Sequence, residues 1–533
     1  MEEKYLKDRN EKFEEIFQKN LPNLLEQKLS LRKSKKIETL MSKRAKMIND
    51  KNISIYEPEI NKNKLSQKVL DFYNEEKFHK KEDLQLIISK YFNLLEKSQK
   101  NNNDSYFILD RLLFIISSMD NENLYKAIDY LSLGHKLFDI FETYTFVNKI
   151  HIYQTFKILV NISLRKNKDL MNKLMNLTSV KYIYEFLCEL LGDINNNCEL
   201  ICQILLFLMN LLEDNSFIQF VYYKYQIFDL LYCFIFDNKS TTNNKEIIII
   251  RHIIAFFSLF IAVQFDKDEE LYLTDKTIIL NKLYNLFEYF LIQNYGNKDL
   301  LLDVVWGLSN LLEQLNEKDD FMDNICKKYF ENIFNNLKIL IKMDTDFVVP
   351  IFRIIGNITS LKDSYCENFF DDFWANYLLG LLNDNILPKQ KILIIWILHN
   401  ICAGTNFNCI FKFNIDKILI ASLKKENNPE VLYHLLKLYF GIINNTKNIL
   451  INNDFLEALI MIIKKNINEK INLVSCFFCE KIFEGKFNDF INKLNENGFK
   501  EILENWSLSS NEEMKNSSLY ILENYFGKNN SEN

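Results

Sequence analysis

Trp306-Gly-Leu-Ser-Asn310, Arg353-Ile-Ile-Gly-Asn357 and Trp396-Ile-Leu-His-Asn400 are copies of one phrase, and that phrase decides the fold. Each copy places a large side chain, three residues and then an asparagine toward the end of a long apolar helix pattern. Lys157-Ile-Leu-Val-Asn161 and Leu206-Phe-Leu-Met-Asn210 carry the series upstream. Successive asparagines lie 49, 100, 47 and 43 residues apart, and the interval of 100 leaves room for one further copy near Ala255 to Phe260. A period of roughly 40 to 47 is one of stacked helix pairs or triplets, in which no repeat can bury its apolar face alone.

Composition agrees with that reading. The 533 residues are 48% hydrophobic, enough for a large core, with only 11 Gly and 5 Pro to supply tight turns. An all-β sandwich or barrel has no source of turns in such a chain. Apolar residues recur at helical spacing from about residue 65 onward, separated by short loops such as Asp193-Ile-Asn-Asn-Asn197, Asn238-Lys-Ser-Thr-Thr242 and Lys425-Glu-Asn-Asn-Pro429. The expected fold is therefore all-α, a solenoid of the armadillo and HEAT type. Its long groove is the default binding surface.

Several chemistries find no support. No two glycines lie closer than Gly296 and Gly307, so the phosphate-cradling GxGxxG and GxxxxGK loops are absent. Six histidines form no HExxH pair, and the cysteines show no paired zinc spacing. The single CxxC, Cys476 and Cys479, sits in Val474-Ser475-Cys476-Phe477-Phe478-Cys479 and reads as buried helix packing. The chain is thus read as no enzyme, with no metal and no cofactor. The most apolar stretch, Ile247 to Phe265, is broken by Arg251 and His252 and reads as a core helix, so no membrane span is expected. Met1-Glu2-Glu3-Lys4 lacks the apolar run of a secretory signal, and ten Cys fit a reducing compartment.

Charge is distributed unevenly. Residues 28 to 46 hold Lys28, Arg32, Lys33, Lys35, Lys36, Lys43, Arg44 and Lys46 against Glu38 alone, a net +7, so the total of -6 leaves -13 for everything else. A basic arm on an acidic body fits either an acidic partner or the body itself. The acidic remainder would repel a phosphate backbone, which argues against nucleic acid.

On the helix around Leu301 to Leu315, Leu301, Val304, Val305, Leu308, Leu311, Leu312 and Leu315 form one stripe, and Asp303, Trp306 and Asn310 form a second. At 3.6 residues per turn the second stripe lies away from the first, so Trp306 is expected to face the groove. A row of indoles, each with an Asn one turn beyond, suits an extended basic peptide. The amide can hold its main chain, while the slots between indoles take the stems of Lys and Arg. The plainer alternatives are aromatic core packing and an Asn that bridges helices.

These residues resemble the importin α (karyopherin α) family. Leu31-Arg32-Lys33-Ser-Lys35-Lys36 followed by Leu40-Met-Ser-Lys43-Arg44 is similar to its importin-β-binding segment. Asn210-Leu-Leu-Glu-Asp214, Asp303-Val-Val-Trp306, Pro350-Ile-Phe-Arg353-Ile-Ile-Gly-Asn357 and Trp396-Ile-Leu-His-Asn400-Ile-Cys-Ala-Gly404 resemble its groove helices in order, and Asn511 to Phe526 resembles its final repeat. The resemblance implies a right-handed superhelical armadillo solenoid over 65–526 and an N-terminal arm over 1–50, with its importin-β-binding core at 28–46. A linker over 51–64 and a tail over 527–533 complete the chain. It implies a nuclear import adaptor, shuttling between cytoplasm and nucleus, that links cargo bearing basic nuclear localisation signals to importin β and is recycled by an export receptor. The groove residues carried over are Asn161, Asn210, Asp214, Asp303, Trp306, Asn310, Arg353, Asn357, Trp396 and Asn400. Glu430 and Tyr433 stand at the next Glu and Trp positions, and Lys437 replaces the next Asn.

The sequence departs from the family in the first half of the groove. The Trp positions there fall on Lys157, Leu206 and Ala255 or Phe256, and Arg165 falls where the family has a Gly. Cargo selectivity is therefore expected in the C-terminal half. The tail, Gly527 to Asn533, keeps Glu532 as its only acid, which makes the recycling contact the least supported of these expectations. The rival reading is a non-transport armadillo scaffold of signalling or cytoskeletal type.

Overall fold

The computed structural model describes residues 65–76, 84–97, 102–119, 149–163, 177–212, 226–262, 271–293, 296–314, 333–360, 371–384, 386–403, 412–445, 452–485 and 488–526. The arm (28–46), the linker (51–64), the tail (527–533), Arg165 and Asp214 lie outside these residues. Among the described residues the regular structure is helical throughout. Contacts divide the chain into two compact units, Met1–Phe234 with Thr241–His252, and Ile235–Ser240 with Ile253–Asn533.

The first unit is built from α1 (Gln67–Glu76), α2 (Leu84–Lys97), α3 (Asn102–Ser118), α4 (Lys149–Ser163), α5 (Leu177–Leu190) and α6 (Ile194–Leu211). α3 packs on α4 and α4 on α6, while α2 and α5 pack on α3 and α6. Arg111 donates to Glu76 Oε1 at 2.5 Å and the Tyr91 hydroxyl donates to Glu76, tying α1, α2 and α3 together. Burial and the Glu76 carboxylate push the Tyr91 hydroxyl far up, so it stays a donor at any working pH. One expected loop is corrected here. Asp193 to Asn197 is not a loop, because helix α6 starts at Ile194 and Asn197 is buried, donating to the Leu190 carbonyl.

The boundary between the units passes through α7 (Ile227–Asn238) and α8 (Asn244–Ala262). Phe256, Phe257 and Phe260 on α8 are fully buried, as a core helix requires. No helix among the described residues is long and apolar enough to cross a membrane.

The second unit continues with α9 (Leu271–Ile292), α10 (Lys298–Glu313), α11 (333–343), α12 (Val348–Thr359), α13 (Asp372–Asn383), α14 (Pro388–Ala403), α15 (Ile415–Lys425) and α16 (Pro429–Asn445). It ends with α17 (Asn453–Lys465), α18 (Glu469–Glu484), α19 (Asn488–Glu496), α20 (Phe499–Trp506) and α21 (Glu512–Ile521). One row runs α10, α12, α14, α16, α18, α21, each helix packed on the next, and a parallel row runs α13, α15, α17, α19. A first helix followed by a second, with firsts stacked on firsts and seconds on seconds, is the armadillo-type helical solenoid.

The Asn-rich connections are helix caps. Asn297, Asn452, Asn468 and Asn511 accept, through Oδ1, from the backbone N–H three residues on, at 2.9–3.1 Å. Asp371 does the same for Trp374, and Asn428 for Val431. Each such cap stabilises its helix by about 1 kcal/mol. Asn466 ends α17 in the left-handed region, at φ 43°, which asparagine tolerates better than most residues. Cys476 and Cys479 are buried in α18, where burial pushes the Cys476 thiol up to about 12. Neither is a thiolate at neutral pH, which agrees with the packing reading of the CxxC.

Candidate functional site

The recurrent asparagines sit on the second helices, and the side-chain amides of Asn210, Asn310, Asn357 and Asn400 point to the preceding repeat. Within the first unit, Asn210 Nδ2 donates to Ser163 Oγ at 2.8 Å. Within the second unit, Asn310 donates to Ser258 Oγ at 2.8 Å and to the Ser258 carbonyl at 3.2 Å. Asn357 donates to the Ser309 carbonyl at 3.3 Å and Asn400 to the Gly356 carbonyl at 3.0 Å. Asn210, Asn310 and Asn357 are buried, Asn400 is half-buried, and Asn161 is half-buried on α4. In the second unit each of these asparagines reaches the residue just before the asparagine position of the previous helix, and Asn400 also reaches Thr359 Oγ1 at 3.5 Å. That register places the skipped copy at Ala255 to Leu259, with Leu259 where the asparagine would be.

These bonds answer a packing need. Side-chain amides buried between helices must be satisfied, and a helical carbonyl can accept a second bond, as Gly356 does while also accepting from the backbone N–H of Ser360. Each of these amides therefore commits at least one N–H to joining repeats, and the Asn310 oxygen is itself buried, which leaves little of that amide to hold a guest main chain.

Trp306 corrects a second expectation. It does not face an open groove: it is 8% exposed, and Asp303 and Asn310 of the same stripe are 6% and 1% exposed. Two stripes on one helix imply a single core side only where a single neighbour covers it. In fact α10 packs against α9 and α12, and Asn310 reaches Ser258 of α8, so almost its whole circumference is covered. Over the indole lies Arg353 of α12, its guanidinium carbon 5.4 Å from the ring centroid, and its Nη2 donates to Glu313 Oε2 at 2.7 Å. Gly307, beside the tryptophan, keeps clear the space taken by the Phe287 ring, which a Cβ there would meet at 2.6 Å.

Trp396 is placed differently. It is half-buried on α14, and its indole lies against the backbone of α12 at Gly356, where any Cβ would overlap the ring. On the next second helix, Tyr433 is half-buried at the matching register and Glu430 is exposed in the first turn. Lys437 Nζ lies 5.4 Å from the Tyr433 ring centroid. Burial raises the Tyr433 hydroxyl, which remains a neutral donor. The junction beneath is fixed by Lys391 of α14, which donates to Glu426 Oε2 at 2.9 Å, while Glu426 Oε1 accepts from the backbone of Asn427 and Asn428.

The structure therefore brings together Trp306, Glu313 and Arg353 as one closed cluster, and sets Trp396, Asn400, Glu430 and Tyr433 along two adjacent helices as a partly open one. Sequence reasoning named Arg353 but missed Glu313. The available signal was a carboxylate one turn beyond Asn310 together with an arginine at the tryptophan register of the next repeat. Among the described residues, no group of three or more His, Cys, Asp or Glu could hold a metal.

No protein-family model matches the chain. A stretch of 111 residues is 26% identical to Importin subunit alpha-1a of Oryza sativa subsp. japonica, spanning 20% of this chain and 20% of that relative's length. A solved structure described as a conserved phosphorylation switch controlling the interaction between cadherin and beta-catenin aligns over 83% of this chain and 84% of that one, at 10% identity and a TM-score of 0.49. The curated match covers about a fifth of either protein. The helix rows are those of an armadillo-type solenoid.

Proposed function

We propose that this chain is a non-catalytic protein-binding adaptor whose docking surface is the stretch of α14 and α16 carrying Trp396, Asn400, Glu430 and Tyr433. In this reading it is a nuclear import adaptor. The surface takes the basic, extended signal of a cargo protein, residues 28–46 (with Leu31, Arg32, Lys33, Lys35, Lys36, Lys43 and Arg44) engage importin β, and the protein shuttles between cytoplasm and nucleus with the help of an export receptor. The carrying observation is the half-open Trp396 indole one repeat before an exposed Glu430 and a half-buried Tyr433. An aromatic face with a nearby carboxylate suits the stem and head of Lys or Arg. The match to an importin subunit alpha supports the same reading.

The test is a titration of a Lys/Arg-rich signal peptide against the full chain. Glu430→Lys is expected to weaken binding about tenfold, an effect that shrinks as salt rises. Alanine at Lys35, Lys36, Lys43 and Arg44 together is expected to abolish importin β capture while leaving the peptide site intact.

A second reading, a non-transport scaffold, is favoured by the closure of Trp306 under Arg353 and by the commitment of the Asn amides to neighbouring repeats. Absence of basic-peptide binding to the folded chain would select it.

A further inference from the structure

The cluster around Trp306 has the form of an occupied binding slot. Its two walls come from α10: the indole of Trp306 and the carboxylate of Glu313. The side chain that fills it comes from α12. The guanidinium carbon of Arg353 is 5.4 Å from the indole centroid, and its nitrogen is 2.7 Å from Glu313 Oε2. The Arg353 and Glu313 side chains are 14% and 9% exposed, so the contact is well enclosed. An aromatic face combined with a carboxylate is the chemistry by which a protein recognises an arginine of another polypeptide.

We propose that this is an arginine slot plugged by the chain's own Arg353, and that an extended basic segment enters it by exchanging one of its arginines for that plug. The proposal rests on the reading of the second unit as a binder of basic segments, and it names the residue that competes with them. Two features favour a replaceable plug over a fixed strut. Walls and plug belong to different helices, so Arg353 can leave with both walls in place. Its side chain also keeps some exposure, and its flexible stem can swing outward through side-chain rotation alone. The pairs Tyr433–Lys437 and Tyr153–Lys157, with Nζ 5.4 and 5.0 Å from the ring centroid, are a weaker form of the same device, each confined to one helix.

A plug seated in most molecules reduces the apparent affinity of a competitor by the fraction of open slots, so removing it tightens binding by about tenfold. The experiment uses the full chain carrying Arg353→Ala and, because the cavity could collapse around alanine, also Arg353→Gln. The probe is ethylguanidinium, with ethylammonium at equal ionic strength as the control, read by the fluorine signal of 5-fluorotryptophan at Trp306 and assigned with Trp306→Phe. Both variants are expected to show a saturable shift with ethylguanidinium and not with ethylammonium, with a midpoint about tenfold below that of the wild type. An arginine-rich peptide is expected to bind both variants about tenfold more tightly than the wild type. No ethylguanidinium response in either folded variant overturns the slot. A peptide that binds the wild type with an affinity unchanged by both substitutions overturns the exchange and leaves the basic-segment reading standing. A probe that binds the variants while the peptide binds no form of the protein supports the slot and removes that reading instead.

Discussion

Trp306 and Trp396 open the same five-residue phrase on α10 and α14, yet one indole is sealed and the other half-open. The difference lies in the neighbouring repeats. At the tryptophan register of the following helix stands Arg353 in the first case, which brings a charge over the ring and anchors it on Glu313. In the second case it is Tyr433, which brings no charge. The preceding helix matters as well: Gly356 lets the Trp396 ring lie against the backbone, whereas before Trp306 stands Ser258, which takes both bonds from the Asn310 amide. The phrase therefore specifies how repeats stack. What each copy offers to a partner is decided by the residue one repeat further on.

The largest expected effect comes from truncating the two indoles. Trp306→Ala empties an enclosed site and is expected to cost about 3–5 kcal/mol, while Trp396→Ala, which gives up a half-exposed ring, costs about half as much. Urea unfolding followed by circular dichroism measures both, and equal losses would break the contrast. The asparagines repeat it on a smaller scale. Asn310→Ala leaves the Ser258 acceptors without their donor in a buried setting and is expected to cost about 1–2 kcal/mol. Asn400→Ala, at a half-buried position, costs under about 1 kcal/mol.

The smallest expected effect sharpens the open side of the comparison. Burial pushes the Glu426 carboxyl up, but the Lys391 ammonium and the backbone N–H groups of Asn428 and Asn427 outweigh it, so its pKa is lowered on folding. A lowered carboxyl stabilises the protein above its ordinary pKa of 4.5 and loses that contribution as pH falls through the lower folded value. The stability gap between wild type and Glu426→Gln should thus narrow as pH falls from neutral past 4.5 and on through the lower folded value. A gap that stays constant would show that Glu426 acts through packing alone.

Much of this was legible in the sequence. The recurrent phrase and its spacing identified the repeats, because stacked helices must present the same contact once per period. The scarcity of glycine and proline identified the class. The Asn-rich stretches read as loops, although their more specific role as helix caps depends on backbone geometry that composition does not carry. The burial of Trp306 was not legible, since a two-stripe analysis of α10 sees one helix and cannot see that α9 and α12 both cover it. The acceptors of Asn210, Asn310 and Asn357 were hidden for a related reason: they lie 47, 52 and 48 residues back, and which atom of the previous repeat meets the amide is set by how the helices stack.

The most direct test of the account is fluorine NMR of the 5-fluorotryptophan-labelled full chain, titrated with a Lys/Arg-rich signal peptide. The Trp396 resonance is expected to move saturably while Trp306, held under its own arginine, moves little until Arg353 is substituted. A titration that saturates with Trp396 unmoved, or one in which Trp306 in the wild type responds first, would contradict it.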